Sequence, residues 1–213
     1  MMTRELPNEI LIATKNEGKV DELRALMSEL PVTLRYLPDL APVPDVEETG
    51  TTFEQNARIK AAEYAQMTGM WSIADDSGLE VEALGGEPGV YSARYGGDDK
   101  SFAERMELIL ERLGPDRPRD ARFVCVMAFA EPSGEIIFTA EGVSPGAIAG
   151  RPGGTGGFGY DPIFVPDGFD ATFAELPPAA KQQISHRARA SAILIRYLLH
   201  FNEVGLDDRI IRL

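Results

Sequence analysis

The chain is poor in several residue types that mark particular classes of protein. It has one cysteine, Cys125, in 213 residues. An intrachain disulfide is therefore impossible, and a cysteine-based metal cluster is excluded. Cys125 lies in an apolar run and reads as a buried, inert thiol. Positive charge is scarce: 21 Lys and Arg stand against 34 Asp and Glu, a net charge of −13. That excludes the broad basic face needed to neutralise a nucleic-acid backbone. A small anionic ligand remains compatible, because a few local cations and a divalent metal can hold a triphosphate in an acidic protein. No apolar run approaches the roughly 20 residues of a membrane span. Met1–Asn8 lacks a basic-then-apolar leader pattern. The expectation is a cytoplasmic protein with no membrane partner. At 44% hydrophobic residues the chain can bury a sizeable core, and its length suits one domain.

Periodicity gives the coarse architecture. Glu9–Ala13 is a short apolar run that reads as a central strand, and Val20, Leu23, Leu26, Met27 and Leu30 follow at helical spacing. Between them Thr14, Lys15, Asn16, Glu17, Gly18 and Lys19 form a strand-to-helix turn. A helix N-terminus with nearby ammonium groups suits an anion, although Thr14 or Asn16 serving only as a helix cap accounts for the same residues. The turn lacks the G-x-x-x-x-G-K-[ST] pattern of a P-loop. Thr33–Leu37 reads as a second strand, Pro38–Gly50 as a loop, and Phe53–Thr68 as a helix capped by Thr51 or Thr52 and stopped by Gly69. Asn56 and Lys60 share one face of that helix. Lys60 also fits a plain surface lysine, and Glu47 and Glu48 fit a helix-dipole role. Phe102–Leu113 is an amphipathic helix, Ala121–Ala130 a strand buried on both faces, and Glu135–Val143 its hairpin partner. The sheet is therefore expected to be mixed.

Two stretches carry the chemistry. In Ser72–Gly97, Ile73 and Ala74 read as a strand end, followed by Asp75, Asp76 and a Ser77-Gly78 turn. Adjacent carboxylates repel, so the fold is expected to neutralise them with a metal, a cation or a shared proton; Asp75 beside Asp76 would raise one of the two carboxyls. An oxygen-only site suits Mg²⁺ or Mn²⁺, while a solvated Asp-Asp-Ser-Gly turn is the plain alternative. The second stretch, Arg151–Pro162, is dense in glycine. Its G-x-G-x-x-G at Gly154, Gly156 and Gly159 lacks a following helix, which argues against a dinucleotide fingerprint. A loop that brings backbone close to a flat ligand, with Phe158 and Tyr160 as stacking faces, fits better; a mobile surface loop is the alternative. Ser185 is placed to cap a closing helix with His186 and Arg187 in its first turn. Cations there oppose the helix dipole and call for an anionic or polar partner.

Six ordered motifs together resemble the inosine triphosphate pyrophosphatase family, whose bacterial members are XTP/dITP diphosphatases. They are Thr14-x-Asn16-x-x-Lys19, Glu47–Gly50, Ala74–Leu79, Tyr91–Tyr95, Gly154–Pro162 and Ser185–Arg187. The resemblance runs from Ile10 to about Phe201; residues 202–213 extend beyond it with no assigned role. It implies an α/β fold with an elongated mixed β-sheet flanked by helices, two lobes and a central cleft. It also implies a homodimer that hydrolyses ITP, dITP and XTP to the monophosphate and pyrophosphate with Mg²⁺. Carried onto this sequence, Thr14–Lys19 bind the triphosphate and Lys60 and Ser77 contact phosphates. Asp76 is the general base and a metal ligand, and Glu48 is the second ligand, with Glu47 as the competing choice. Phe158, Gly159, Tyr160, Asp161, Lys181, His186 and Arg187 surround the base. A non-catalytic nucleotide sensor would need no such acids. A dinucleotide-dependent oxidoreductase would rest only on the misplaced glycine pattern.

Overall fold

A computed structural model of the chain describes residues 5–202. Residues 203–213, most of the extension, lie outside that range. Eleven regular elements follow in order: β1 (Glu9–Ile12), α1 (Glu17–Leu26), β2 (Thr33–Tyr36), α2 (Phe53–Thr68), β3 (Trp71–Val81), α3 (Phe102–Leu113), β4 (Asp120–Ala130), β5 (Ile136–Ile148), β6 (Phe164–Pro166), α4 (Pro178–Ile184) and α5 (His186–Leu199). The strands form one sheet in the order β2-β1-β3-β4-β5-β6. β1 runs parallel to β2 and β3, while β5 and β6 are antiparallel, so the sheet is mixed as expected.

The helices α2 and α3 keep their expected bounds because both ends are chemically marked. In α2 the Thr52 side chain accepts from the Gln55 backbone N–H, and Gly69 closes the helix in the left-handed region at φ 67°. In α3 Ser101 and Glu104 form a reciprocal capping box, and Gly114 follows.

Contacts divide the described chain into two compact units. The first comprises residues 5–76, 125–142 and 187–202; the second comprises 77–124 and 143–186. In the first, Ile10, Ile12, Leu23, Met27, Phe129 and Leu194 share a core, and the rings of Phe138 and Tyr197 stack at 4.0 Å. The second is built on Leu79, Ile109, Phe123, Ile163, Phe164 and Phe173. Each fully buried Leu, Ile or Phe contributes about 1.5–3 kcal/mol, so each unit has its own hydrophobic reason to fold.

Two expected boundaries change. β5 continues through Val143 to Ile148, where it pairs with β6. More importantly, the strand does not end at Ala74 and no turn follows at Ser77-Gly78: β3 runs unbroken from Trp71 to Val81. β3 lies between β1 and β4 in the sheet, hydrogen-bonded to both, and membership of the sheet overrides the turn preference of Asp, Ser and Gly.

Candidate active site

Strand geometry decides what the two aspartates do. Successive side chains on a strand point to opposite faces, and Asp75 and Asp76 meet different partners accordingly. Asp76 is 6% exposed. Its Oδ1 accepts from the Lys60 ammonium at 3.2 Å and its Oδ2 from the Asn56 amide at 3.1 Å. Lys60 also donates to Glu48 Oε1 at 2.7 Å, so one ammonium joins the two carboxylates expected to hold a metal. Lys60 is thus buried and doubly paired rather than a surface lysine. Glu47, the competing choice, is exposed. Asn56, singled out in the sequence only for sharing a helix face with Lys60, also accepts the Gly50 N–H at 2.8 Å. It therefore ties the Glu48 loop to the Asp76 strand.

Asp75 faces a different set of charges. Its Oδ2 accepts from Lys19 Nζ at 2.9 Å and from the Arg187 guanidinium at 3.3 Å. The Cys125 thiol lies 3.9 Å from the same oxygen. Arg187 also pairs with Glu22. Asp75 Oδ1 is buried with no hydrogen-bond partner among the described residues.

The two carboxyls shift in opposite directions. Burial raises Asp76 first; Lys60 pulls it down, Glu48 pushes it up, and the net is upward. Burial also pushes Asp75 up, but Lys19, Arg187 and Lys60 together hold it well below the usual carboxylate range. One acid does titrate high, as expected, but burial and Glu48 account for it. Lys60 itself stays above its ordinary value: burial works against its charge, and Asp76, Asp75 and Glu48 outweigh burial.

The Thr14–Lys19 turn sits where β1 feeds α1. Asn16 is the helix cap, its Oδ1 accepting the Lys19 backbone N–H at 3.1 Å. Thr14 Oγ1 accepts the Asn16 N–H at 3.2 Å. Lys15 is exposed and bonds Asp45 at 2.5 Å and the Val43 carbonyl at 3.3 Å. Glu17 and Gly18 occupy the first turn of α1, whose N–H groups lack intrahelical acceptors. Ser77 is half-buried on β3.

In the second unit, Lys181 Nζ donates to Asp161 Oδ2 at 2.6 Å and lies 4.8 Å from the centre of the Phe158 ring. The Phe158 N–H donates to the same Asp161 oxygen at 2.8 Å. Gly157 makes this possible: its φ is 67°, and a Cβ there would collide with the Asp161 carboxylate. Gly159 is also at positive φ, beside the Phe102 ring. His186 is 4% exposed and stacks on Phe123 at 4.6 Å. No helix follows the glycine loop; a short 3₁₀ turn at Asp161–Ile163 leads into β6, which removes the support for a dinucleotide fingerprint.

Two expected base-binding residues have partners within the protein. Tyr160 is 2% exposed, with its hydroxyl donating to the Ser92 carbonyl at 2.8 Å, so its ring is core rather than a stacking face. Arg187 is 1% exposed and belongs to the Asp75 and Glu22 cluster of the first unit. The sequence reasoning missed Glu22; its position three residues after Lys19, on one face of α1, was the available signal.

The donor set can be tested against a divalent cation. Among the described residues no three His, Cys, Asp or Glu side chains converge as a metal cluster. Glu48 and Asp76 supply two carboxylates already gathered around a cation. That matches Mg²⁺, which commonly takes one or two carboxylates and completes its shell with water and substrate phosphates.

The chain is similar to proteins of known description across most of its length. It is 50% identical to the dITP/XTP pyrophosphatase of Gloeobacter violaceus over 182 residues, 85% of this chain and 89% of that protein. It is 48% identical to the dITP/XTP pyrophosphatase of Nostoc sp. over 186 residues, 87% of this chain and 92% of that one. The solved structure of a HAM1 protein from Coxiella burnetii superposes with a TM-score of 0.84 at 41% identity, covering 91% of this chain and all of that one. The Ham1 family model matches residues 10–197, and with relatives this similar over nearly the same span, the chain belongs to the Ham1 family.

Proposed function

We propose that the protein hydrolyses non-standard purine nucleoside triphosphates, namely ITP, dITP and XTP, to the monophosphate and pyrophosphate. The observation that carries this reading is the Glu48–Lys60–Asp76 cluster, in a chain half identical to dITP/XTP pyrophosphatases. Asp76 has the properties of a general base. Its carboxyl is raised above its ordinary value by burial, and Lys60 and Asn56 fix the orientation of both oxygens. It would take the proton of an attacking water as the new oxygen–phosphorus bond forms and the bond to the pyrophosphate leaving group breaks. Lys19, Lys60 and the N-terminal turn of α1 would bind and neutralise phosphate oxygens. Glu48 and Asp76 would hold Mg²⁺, with Mn²⁺ as a substitute, and when bound the metal supplies charge neutralisation at the phosphates.

Phe158, Asp161, Lys181 and His186 would receive the base. Asp161 fixes the Lys181 ammonium over the Phe158 ring. An ammonium only donates, so it favours a 6-keto oxygen over the 6-amino group of adenine. By the same resemblance the protein would act as a cytoplasmic homodimer. Incubation with ITP and Mg²⁺, followed by phosphorus NMR, tests the reading. Pyrophosphate and IMP are the expected first products; orthophosphate with IDP, or no turnover, refutes it.

A further inference from the structure

We infer that Asp75 is a positioning residue: backed by Arg187 and Glu22, its carboxylate fixes the Lys19 ammonium where it meets the substrate triphosphate. The inference rests on the function proposed above and assigns a role to a residue that function left unused.

Four charges alternate in sign through the first unit: Glu22, Arg187, Asp75, Lys19. The interior members are almost closed to solvent, with side chains 1% exposed for both Arg187 and Asp75. The outer cation is not: the Lys19 side chain is 15% exposed and lies in the first turn of α1. The Glu22 end is open as well, its side chain 20% exposed, but Lys19 is the member that presents a cation at the N-terminal turn of α1. A buried ion pair is weak grounds for stability, because apolar residues of similar volume often replace one without loss. Here the cost is higher still, since Asp75 Oδ1 is buried without a partner. Holding one lysine in one place explains a cluster that stability does not. A free lysine side chain loses rotamer entropy when it is fixed, and fixing it before the ligand arrives spares that loss on binding. Asp75 does so from the strand face opposite Asp76, without touching the carboxylate that acts on water.

Coulomb's law and positioning predict opposite signs, which makes the inference testable. Asp75→Asn removes one negative charge near an anion site, so electrostatics alone would tighten binding of a polyanion. Positioning predicts that binding weakens. The measurement is calorimetric titration with inorganic triphosphate in EDTA, on wild type, Asp75→Asn, Lys19→Met and the double variant. The expected result is about a tenfold loss for Asp75→Asn when Lys19 is present and less than twofold when it is Met, the non-additivity of residues acting as a unit. Unchanged or tighter binding in Asp75→Asn, equal losses in both backgrounds, or no binding to wild type overturns the inference. Should Asp75→Asn fail to unfold cooperatively, Lys19→Arg decides, because it keeps the charge and moves it. A loss of about tenfold supports positioning, and retention within threefold overturns it. Triphosphate binding is independent of hydrolysis, so failure to release pyrophosphate from ITP would count against the proposed activity and not against this role.

Discussion

Lys60→Met is the sharpest test of the acid centre. The substitution keeps the aliphatic stem and removes the ammonium that Glu48 and Asp76 share at 2.7 and 3.2 Å. Asp76 keeps the Asn56 amide as a donor, and the two carboxylates lose the cation they share. Removing one partner of a buried pair costs about 3–5 kcal/mol. The Glu48 side chain is 29% exposed, and solvent screens its share, so the low end, about 3 kcal/mol, is expected. For a chain of this size each kcal/mol shifts Tm by about 2–4 °C, which gives a fall of about 6–12 °C. Mg²⁺ should restore much of the loss. In wild type it competes with an ammonium already in place; in the variant that ammonium is gone from both acids. At about 100 times its Kd a ligand stabilises by about 2.7 kcal/mol. Differential scanning calorimetry with and without Mg²⁺ is the assay. A variant within about 2 °C of wild type, or a Mg²⁺ shift no larger than wild type shows, would refute the reasoning.

Three further outcomes follow from the same geometry. Asp76→Asn should lower kcat by about 10²–10⁴ while ITP still binds; more than a tenth of wild-type kcat would remove Asp76 from the role of base. Asp75 is held below its unfolded value of 3.8, so the stability it contributes is complete above that pH and lost as pH falls through the lower folded value. Denaturant titrations from pH 5 downward should therefore show a steeper acid limb in wild type than in Asp75→Asn, and equal limbs would contradict the shift. Burial, reinforced by Asp75, pushes the Cys125 thiol far up, so the native protein should not react with a thiol reagent at pH 7 until it unfolds; prompt stoichiometric labelling would show that the thiol is not enclosed.

What was legible in the sequence was what local chemistry determines. Thr52 with Gly69, and Ser101 with Gly114, fix the two helices whose bounds match. Asn16 met its plain alternative, a cap. Contacts between distant segments were not legible. Tyr160 reads as a stacking face until Ser92, 68 residues away, accepts its hydroxyl. Arg187 reads as a ligand contact until Glu22, 165 residues away, pairs with it. Glycine density marked the Arg151–Pro162 loop for a close approach to a ligand; the approach the structure shows is that of Gly157 to Asp161.

The most consequential misreading was the Asp75–Asp76 pair, because adjacency in sequence suggests a shared environment. In a turn that would hold, and the repulsion between the carboxylates would dominate. In a strand the alternation of side chains gives each acid its own counter-ions: Lys19 and Arg187 for Asp75, Lys60 for Asp76. Both are buried, and burial raises both, so burial cannot explain why the more enclosed Asp75 is the one that is lowered. The number of cations does. Asp75 has two in direct contact and Asp76 has one, which Glu48 shares. The difference leaves Asp75 a lowered carboxyl suited to holding a lysine and Asp76 a raised one suited to exchanging a proton. Moving the register of β3 by one residue would exchange their faces, and with them the two roles.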